Sequence, residues 1–291
     1  MIHIGNSVQT NTVVIDNGCV ALRRKICKSC QKINSMRYKL KKRLINREII
    51  FAGWTSLGQP QIAEMLVRSG VDFLGIDIEH STISQEQSQR IIAACQTAEV
   101  ACLPRVATHN QEAIKRLLDS GADGVIVPTV ETSEQVEKII EWMKYPPLGK
   151  RGYGIARAQG YGHDFEKYTT QWNESSSLII QIESISAVEN IEQLLRFDEV
   201  DGAMIGPYDI SGSLGIPGQI DHEQVRNAGQ LVVEACKKFG KACGTQDVDP
   251  TSAGVKVALD SGYTFVVLAS DVFILWKWGE KMQKIIADCR S

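Results

Sequence analysis

An α/β barrel of eight strand–helix units, a (β/α)8 fold with an N-terminal extension, is what this sequence predicts, on three observations. From position 49 to the end, short apolar runs alternate with amphipathic stretches. The apolar runs number eight and are continuous, as strands of a parallel sheet buried on both faces must be. The first strand–helix turn, Ser56-Leu57-Gly58-Gln59-Pro60, lacks the G-x-G-x-x-G pattern expected of an open doubly wound sheet.

Residues 1–35 read as a loosely ordered extension: periodicity is weak and a basic patch, Arg23-Arg24-Lys25, precedes Cys27-Lys28-Ser29-Cys30. A Cys-x-x-Cys can be half of a zinc site, but only Cys19 and His3 remain nearby to complete one. From Met36, itself a candidate natural start, a helix is expected over 37–46 and the barrel domain over 36–291. Strands are expected at 49–57, 72–78, 101–106, 124–128, 178–183, 202–207, 242–246 and 264–269. Helices follow at 61–69, 85–98, 111–120, 133–144, 187–196, 222–239, 251–261 and 272–289. Gly70, Gly121, Gly240 and Gly262 stand where helices close, glycine being the residue that takes the left-handed cap. Asn110 and Ser133 stand where helices open. Positions 145–176 interrupt the alternation with Gly, Arg and Tyr, and read as a loop at the barrel mouth whose arginines reach an anionic ligand.

Composition narrows the function classes. A 43% hydrophobic chain of net charge -2 is an ordinary globular protein without the basic excess of a nucleic-acid binder. No apolar run reaches the length of a membrane span. Met1 to Gly18 lacks a secretory signal, so the eight cysteines are expected to be reduced thiols of a cytoplasmic protein. Cys95, Cys102, Cys236 and Cys243 read as small core residues. Trp276 and Trp278, on the last helix, read as packing or subunit contacts.

A barrel builds its active site at the carboxyl ends of its strands. The polar residues expected there are Asp77, Glu79 and His80 after strand two, Arg105 after strand three, Gln181 and Glu183 after strand five, and Asp209 after strand six. Burying a lone carboxylate is costly, and neighbouring strands lie about 4.8 Å apart, so Glu183 and Asp209 suit one shared cation. Two carboxylates and water fit Mg²⁺, Mn²⁺ or Co²⁺. His80 is a candidate general base, with Asp77 or Glu79 holding its ring. Arg105 suits a carboxylate and a developing enolate oxygen, or a structural ion pair with Asp77 or Glu79. The backbone of Gly206-Pro207-Tyr208-Asp209 can hold a ligand carboxylate. His109, His163 and His222 read as surface residues.

Gly53-Trp54-Thr55-Ser56-Leu57, Ile76-Asp77-Ile78-Glu79-His80, Leu103-Pro104-Arg105-Val106, Val127-Pro128, Tyr145-Pro146-Pro147-Leu148-Gly149-Lys150-Arg151-Gly152, Gln181-Ile182-Glu183 and the run from Asp201 to Ser211 together resemble the HpcH/HpaI aldolase family. These are the class II pyruvate aldolases related to citrate lyase beta chains, and the likeness runs from about Met36 to the end. It implies a TIM barrel that uses a divalent metal to cleave or form 4-hydroxy-2-oxo acids through a pyruvate enolate. The metal ligands it implies are Glu183 and Asp209. It further implies that Arg105 binds the pyruvyl group, that His80 acts as base through water with Asp77 or Glu79 behind it, and that Gln181, Gly206, Pro207, Tyr208 and Asp209 bind the substrate. Asp119 matches a residue tied to the site across a subunit boundary, in a homohexamer built as a trimer of dimers with the last helix exchanged. Tyr208 stands where the family has a small residue, so the resemblance does not fix the size or polarity of the acceptor end. Competing expectations are a citrate-synthase-like or acyl-CoA lyase member of the family, and a non-catalytic metabolite-binding barrel.

Overall fold

A computed structural model describes residues 28–290, with side chains from position 36 onward. Eight parallel strands close in sequence order: β1 (Ile50–Thr55), β2 (Phe73–Asp77), β3 (Ala101–Arg105), β4 (Gly124–Val127), β5 (Ser177–Ile182), β6 (Gly202–Ile205), β7 (Ala242–Asp247) and β8 (Phe265–Leu268), which pairs back onto β1. Every expected strand is present, its ends within two residues of those read from the sequence. The helices are α1 (Lys28–Ile45), α2 (Pro60–Val67), α3 (Gln85–Thr97), α4 (Gln111–Asp119), α5 (Ser133–Met143), α6 (Phe165–Ser175), α7 (Ile185–Glu189), α8 (Ile191–Leu195), α9 (Pro207–Ser213), α10 (Glu223–Lys238), α11 (Ser252–Asp260) and α12 (Asp271–Arg290). The helix expected over 37–46 is thus the second part of α1, and the one expected over 187–196 breaks at Asn190 into α7 and α8. The basic patch and Cys27 lie outside the described residues, as does the side chain of Cys30.

Local signals account for the boundaries. Asn110 caps α4, its side chain accepting the N–H groups of Glu112 and Ala113. For α5 the cap is Thr132, one residue before the expected Ser133, because Gln135 three residues on reaches back to complete a reciprocal capping box. The four glycines expected to end helices all take positive φ.

Strand alternation sends one set of side chains into the barrel and the other toward the helices. The interior set includes Ala52, Trp54, Phe73, Leu103, Ile126, Ile179, Met204, Phe265 and Val267. Two interior glycines make room for rings: a Cβ on Gly75 would meet Trp54 at 2.2 Å, and one on Gly244 would meet Phe265 at 1.9 Å. Met36, Leu40 and Leu44 of α1 join this interior cluster, so α1 plugs the barrel at the strands' amino ends.

The plug is anchored by a repeated device. The residue before each even-numbered strand accepts the N–H of the preceding odd strand: Asp72 from Phe51 at 2.9 Å, Asp123 from Cys102 at 3.0 Å, Asp201 from Leu178 at 2.8 Å, and Thr264 from Cys243 at 2.9 Å. The three aspartates also pair with α1: Asp72 with Arg43, Asp123 with Arg37 at 3.1 Å, and Asp201 with Lys41 at 2.6 Å.

The interruption at 145–176 lies at this same amino end, which corrects its reading as a loop at the mouth. It follows α5 and precedes β5, and a helix has already carried the chain back to the amino end before the next strand begins. Its residues accordingly pack near α1: Arg37 stacks on Tyr168 and Trp172, and Lys144 donates to the carbonyls of Asn173 and Ser176. Arg157 donates to the Ser120 carbonyl at 2.9 Å, and Arg151 is buried between Tyr145 and Trp172. Neither arginine approaches the mouth.

Asp123→Ala leaves the Arg37 guanidinium buried without its carboxylate and Cys102 N–H without its acceptor. Breaking such a pair costs about 3–5 kcal/mol. Urea denaturation should show a loss of that order; a loss under about 1 kcal/mol would contradict the anchoring role.

Candidate active site

At the carboxyl ends the interior alternation carries on past the apolar core and turns polar. Ile179 is followed in the same phase by Gln181 and Glu183, Leu103 by Arg105, and Phe73 by Gly75 and Asp77. Polar residues expected from three different strand ends therefore stand on the same, carboxyl face of the barrel.

Arg105 is the centre of the group. Its Nη2 lies 2.8 Å from Asp77 Oδ2 and its Nε donates to Asp77 Oδ1 at 3.2 Å, a two-point clamp. Its Nη1 lies 3.2 Å from Glu79 Oε2. Below it the Trp54 ring centroid is 5.2 Å away, so the guanidinium rests on the top of the apolar core. The ion-pair alternative for Arg105 is thus realised with both acids.

Asp77 also shapes the turn beyond β2. Its Oδ1 accepts the N–H groups of Glu79 at 3.2 Å and His80 at 3.0 Å. The support expected for the His80 ring is therefore divided: Asp77 holds the backbone, and Glu79 Oε2 stands 3.7 Å from Nε2. The His80 side chain is 69% exposed, which leaves it open to the mouth.

Burial by itself would raise the Asp77 carboxyl, but the Arg105 charge and the His80 N–H outweigh it and hold the group below its usual range. Burial raises Glu79; the Arg105 and His80 charges offset this only in part, and Asp77 and Asp209 push it up further. Glu183 is pushed up to about 7, first by burial and then by the charges of Asp209 and Glu79, against the N–H of Thr129 that it accepts at 2.8 Å. Carboxylates from just beyond β2 and β5 and from the helix that follows β6 therefore crowd one another at the mouth.

Gly206 separates two of them. A Cβ there would lie 2.9 Å from Glu183 Cγ and 3.2 Å from both Glu183 Oε1 and Asp209 Oδ2. The glycine thus leaves open the point on which the two carboxylates converge. Gly206 and Pro207 begin α9, a helix absent from the sequence-based reading, so the N–H groups of Tyr208 and Asp209 lie in a first turn without intrahelical acceptors. The Tyr208 side chain is half exposed. Gln181 is buried, and its Oε1 has no hydrogen-bond partner among the described residues.

These features fit a divalent cation. Two crowded carboxylates, one with a strongly raised pKa, are relieved by positive charge, and an unpartnered amide oxygen lies on the same strand as one of them. Among the described residues no group of three or more His, Cys, Asp or Glu forms a closed metal cage. Glu183 and Asp209 are the two carboxylates that could hold such an ion, and a pair of them would leave positions for water and substrate.

Asp119 is not brought to this mouth. It ends α4, at the opposite end of the barrel, where its Oδ1 accepts from Arg151 Nη2 at 2.8 Å. Among the lysines, Lys144 is pushed down to about 7 by burial, but it too lies at the amino end, bonded to Asn173 and Ser176. It is no Schiff-base candidate. The sequence-based reading missed the Thr129 N–H that fixes Glu183; its signal is a positive φ, which a threonine does not announce.

The sequence profile described as HpcH/HpaI aldolase/citrate lyase matches residues 51–277. A hydroxypyruvate/pyruvate aldolase of Roseobacter denitrificans is 33% identical over 83% of this chain and 94% of its own. A 2-keto-3-deoxy-L-rhamnonate aldolase of Salmonella dublin is 36% identical over 76% of this chain and 82% of its own. The crystal structure of a HpcH/HpaI aldolase/citrate lyase family protein from Burkholderia cenocepacia superimposes with a TM-score of 0.80 at 29% identity, covering 87% of this chain and all of that one.

The raised Glu183 carboxyl has a measurable consequence. Its folded pKa, about 7, lies above the ordinary 4.5, so the folded state holds this proton more tightly than the unfolded chain. The group favours folding below about pH 4.5, and that contribution, about 3 kcal/mol, is lost as pH rises through about 7. Urea denaturation in EDTA at pH 5 and pH 8 should show Glu183→Gln less pH-dependent than the parent by about 2.5 kcal/mol, since part of the contribution is already lost by pH 5. An unchanged pH dependence would contradict the burial argument.

Proposed function

The chain belongs to the HpcH/HpaI aldolase/citrate lyase family, and from that premise and the geometry of the mouth we propose a divalent-metal-dependent pyruvate aldolase. It is a carbon–carbon lyase that cleaves or forms 4-hydroxy-2-oxo acids through a pyruvate enolate. The observation that carries the reading is the set of crowded carboxylates gathered around Arg105 on the carboxyl face, with no lysine at a strand end. The names of the two curated relatives favour aldol chemistry over the citrate-synthase-like and acyl-CoA alternatives. The same charged cluster disfavours a barrel that only binds metabolites.

Each residue then has a task. Glu183 and Asp209 hold Mg²⁺, Mn²⁺ or Co²⁺. When bound, the cation supplies a Lewis acid that polarises the 2-oxo group of the substrate. Arg105, immobilised by Asp77, Glu79 and Trp54, offers its guanidinium to the substrate oxygen on which negative charge develops. The Tyr208 and Asp209 N–H groups and Gln181 orient the pyruvate carboxylate and carbonyl. His80, open to solvent beside Glu79, takes the proton from the C4 hydroxyl through water as the C3–C4 bond breaks. The bonding electrons pass to C3 of the enolate, which regains a proton to give pyruvate. In reverse, the enolate adds to an aldehyde and His80 returns the proton.

The reading extends to assembly. α12 turns Ile274, Leu275, Trp276, Trp278, Ile285 and Ile286 to the outside, each about half exposed, and none of the α11 side chains is buried. A second copy of the chain suits this face, in a homohexamer arranged as a trimer of dimers. Asp119, remote from its own mouth, would serve a neighbouring subunit's site. Cys95, Cys102, Cys236, Cys243 and Cys289 are free thiols, and no described helix is long and apolar enough to cross a membrane. A cytoplasmic home suits both.

Proton exchange at the pyruvate methyl group in D₂O, followed by NMR, tests the reaction. Exchange is expected with Mg²⁺, Mn²⁺ or Co²⁺ and not with EDTA, and Glu183→Ala should abolish it. Metal-independent exchange would overturn the metal assignment, and no exchange under any condition would overturn the aldolase reading. His80→Ala should lower kcat by about 10²-fold or more with pyruvate binding retained; an unchanged kcat would remove His80 from the base role.

A further inference from the structure

Glu183 is held from one side by a backbone donor. Its Oε2 accepts the Thr129 N–H at 2.8 Å, while its Oε1 faces the opening that Gly206 leaves beside Asp209. One oxygen is therefore tied to the protein and the other is free for a ligand. The Thr129 N–H points at Glu183 from a backbone φ of 51°, a left-handed conformation that a β-branched residue seldom takes. Such a conformation persists only where its surroundings impose it.

One restraint is visible. His109, in the turn after β3, lies with Nε2 2.6 Å from the carbonyl oxygen of Pro128, the residue immediately before Thr129. A carbonyl only accepts, so the ring nitrogen must carry the proton and donate. The Pro128–Thr129 peptide unit joins that carbonyl to the Thr129 N–H. The imidazole thus grips one end of a rigid plane whose other end grips Glu183. His109 reads as a surface histidine in the sequence, yet it is partly buried in this contact.

The geometry points to His109 as a positioning residue for the cation site: through the Pro128–Thr129 peptide it fixes Glu183 so that only Oε1 is offered to the metal. The inference rests on the reading of Glu183 as a metal ligand. Neighbours that orient ligands in this way are commonly worth about 10- to 100-fold in metal affinity.

The test is Mn²⁺ binding to the full-length protein without substrate, read by EPR of free Mn²⁺, for the parent and for Glu183→Gln, His109→Ala, His109→Gln and His109→Asn. Circular dichroism and thermal melting in EDTA confirm that each variant folds. His109→Ala is expected to weaken Mn²⁺ binding about tenfold. His109→Gln, whose amide can reach the Pro128 carbonyl as Nε2 does, should recover most of the loss, and His109→Asn, whose amide stops short, should not. If His109→Ala does not fold, His109→Asn decides. Parent-like affinity in folded His109→Ala or His109→Asn, with Glu183→Gln impaired, overturns the positioning role alone. Parent-like affinity in Glu183→Gln, or no binding by the parent, overturns the ligand reading and this inference with it.

Discussion

Closing eight parallel strands into a barrel forces alternate side chains into an interior from which nothing else can exclude them. Everything at the mouth follows from that constraint. Along each strand the phase that buries Phe73, Leu103 and Ile179 must continue beyond the last apolar residue, and the next positions in phase are Asp77, Arg105 and Gln181. Convergence therefore needs no long-range recognition between these polar groups. Trp54 completes the link between core and chemistry, since the ring that fills the barrel is also the surface on which the Arg105 guanidinium rests.

The two ends of the barrel treat charge in opposite ways. At the amino end each buried aspartate has a cation of α1 and a strand N–H, so charge is matched: Asp123 with Arg37, Asp201 with Lys41. At the carboxyl end Asp77 and Glu79 pair with Arg105 while Glu183 and Asp209 lie close to one another, and Glu79 and Glu183 are raised first by burial and further by the neighbouring carboxylates. Matched charge fixes the fold. Carboxylates crowded together without matching cations are relieved by a proton or by any positive charge placed between them. This division agrees with the general separation of stability and chemistry between the two faces of such barrels.

The insertion between α5 and β5 belongs wholly to the first of these ends. Its aromatic residues bury Arg151, which pairs with the Asp119 carboxylate. The carboxylate is tied by Oδ1, and Gly154 stands beside Oδ2 with 3.8 Å from that oxygen to where a Cβ would sit.

The sequence by itself determined the eight strands, the helices that wrap them, and the identity of the polar residues at the strand ends. Those features are local: continuous apolar runs, capping residues such as Asn110 and glycines such as Gly262 act within a few positions of themselves. It did not reveal α6 or α9, because neither presents a long apolar stripe and α9 is only one or two turns. Which end of the barrel receives the 145–176 segment follows from counting reversals of the chain; the glycines and arginines that suggested a mouth loop carry no such information. Only the tertiary structure decided that Asp77 serves the His80 backbone while clamping Arg105, that Thr129 bends to meet Glu183, and that His109 holds the peptide between them. These contacts join residues distant in sequence through backbone atoms, and a backbone N–H or carbonyl is the same in every residue that could have stood there.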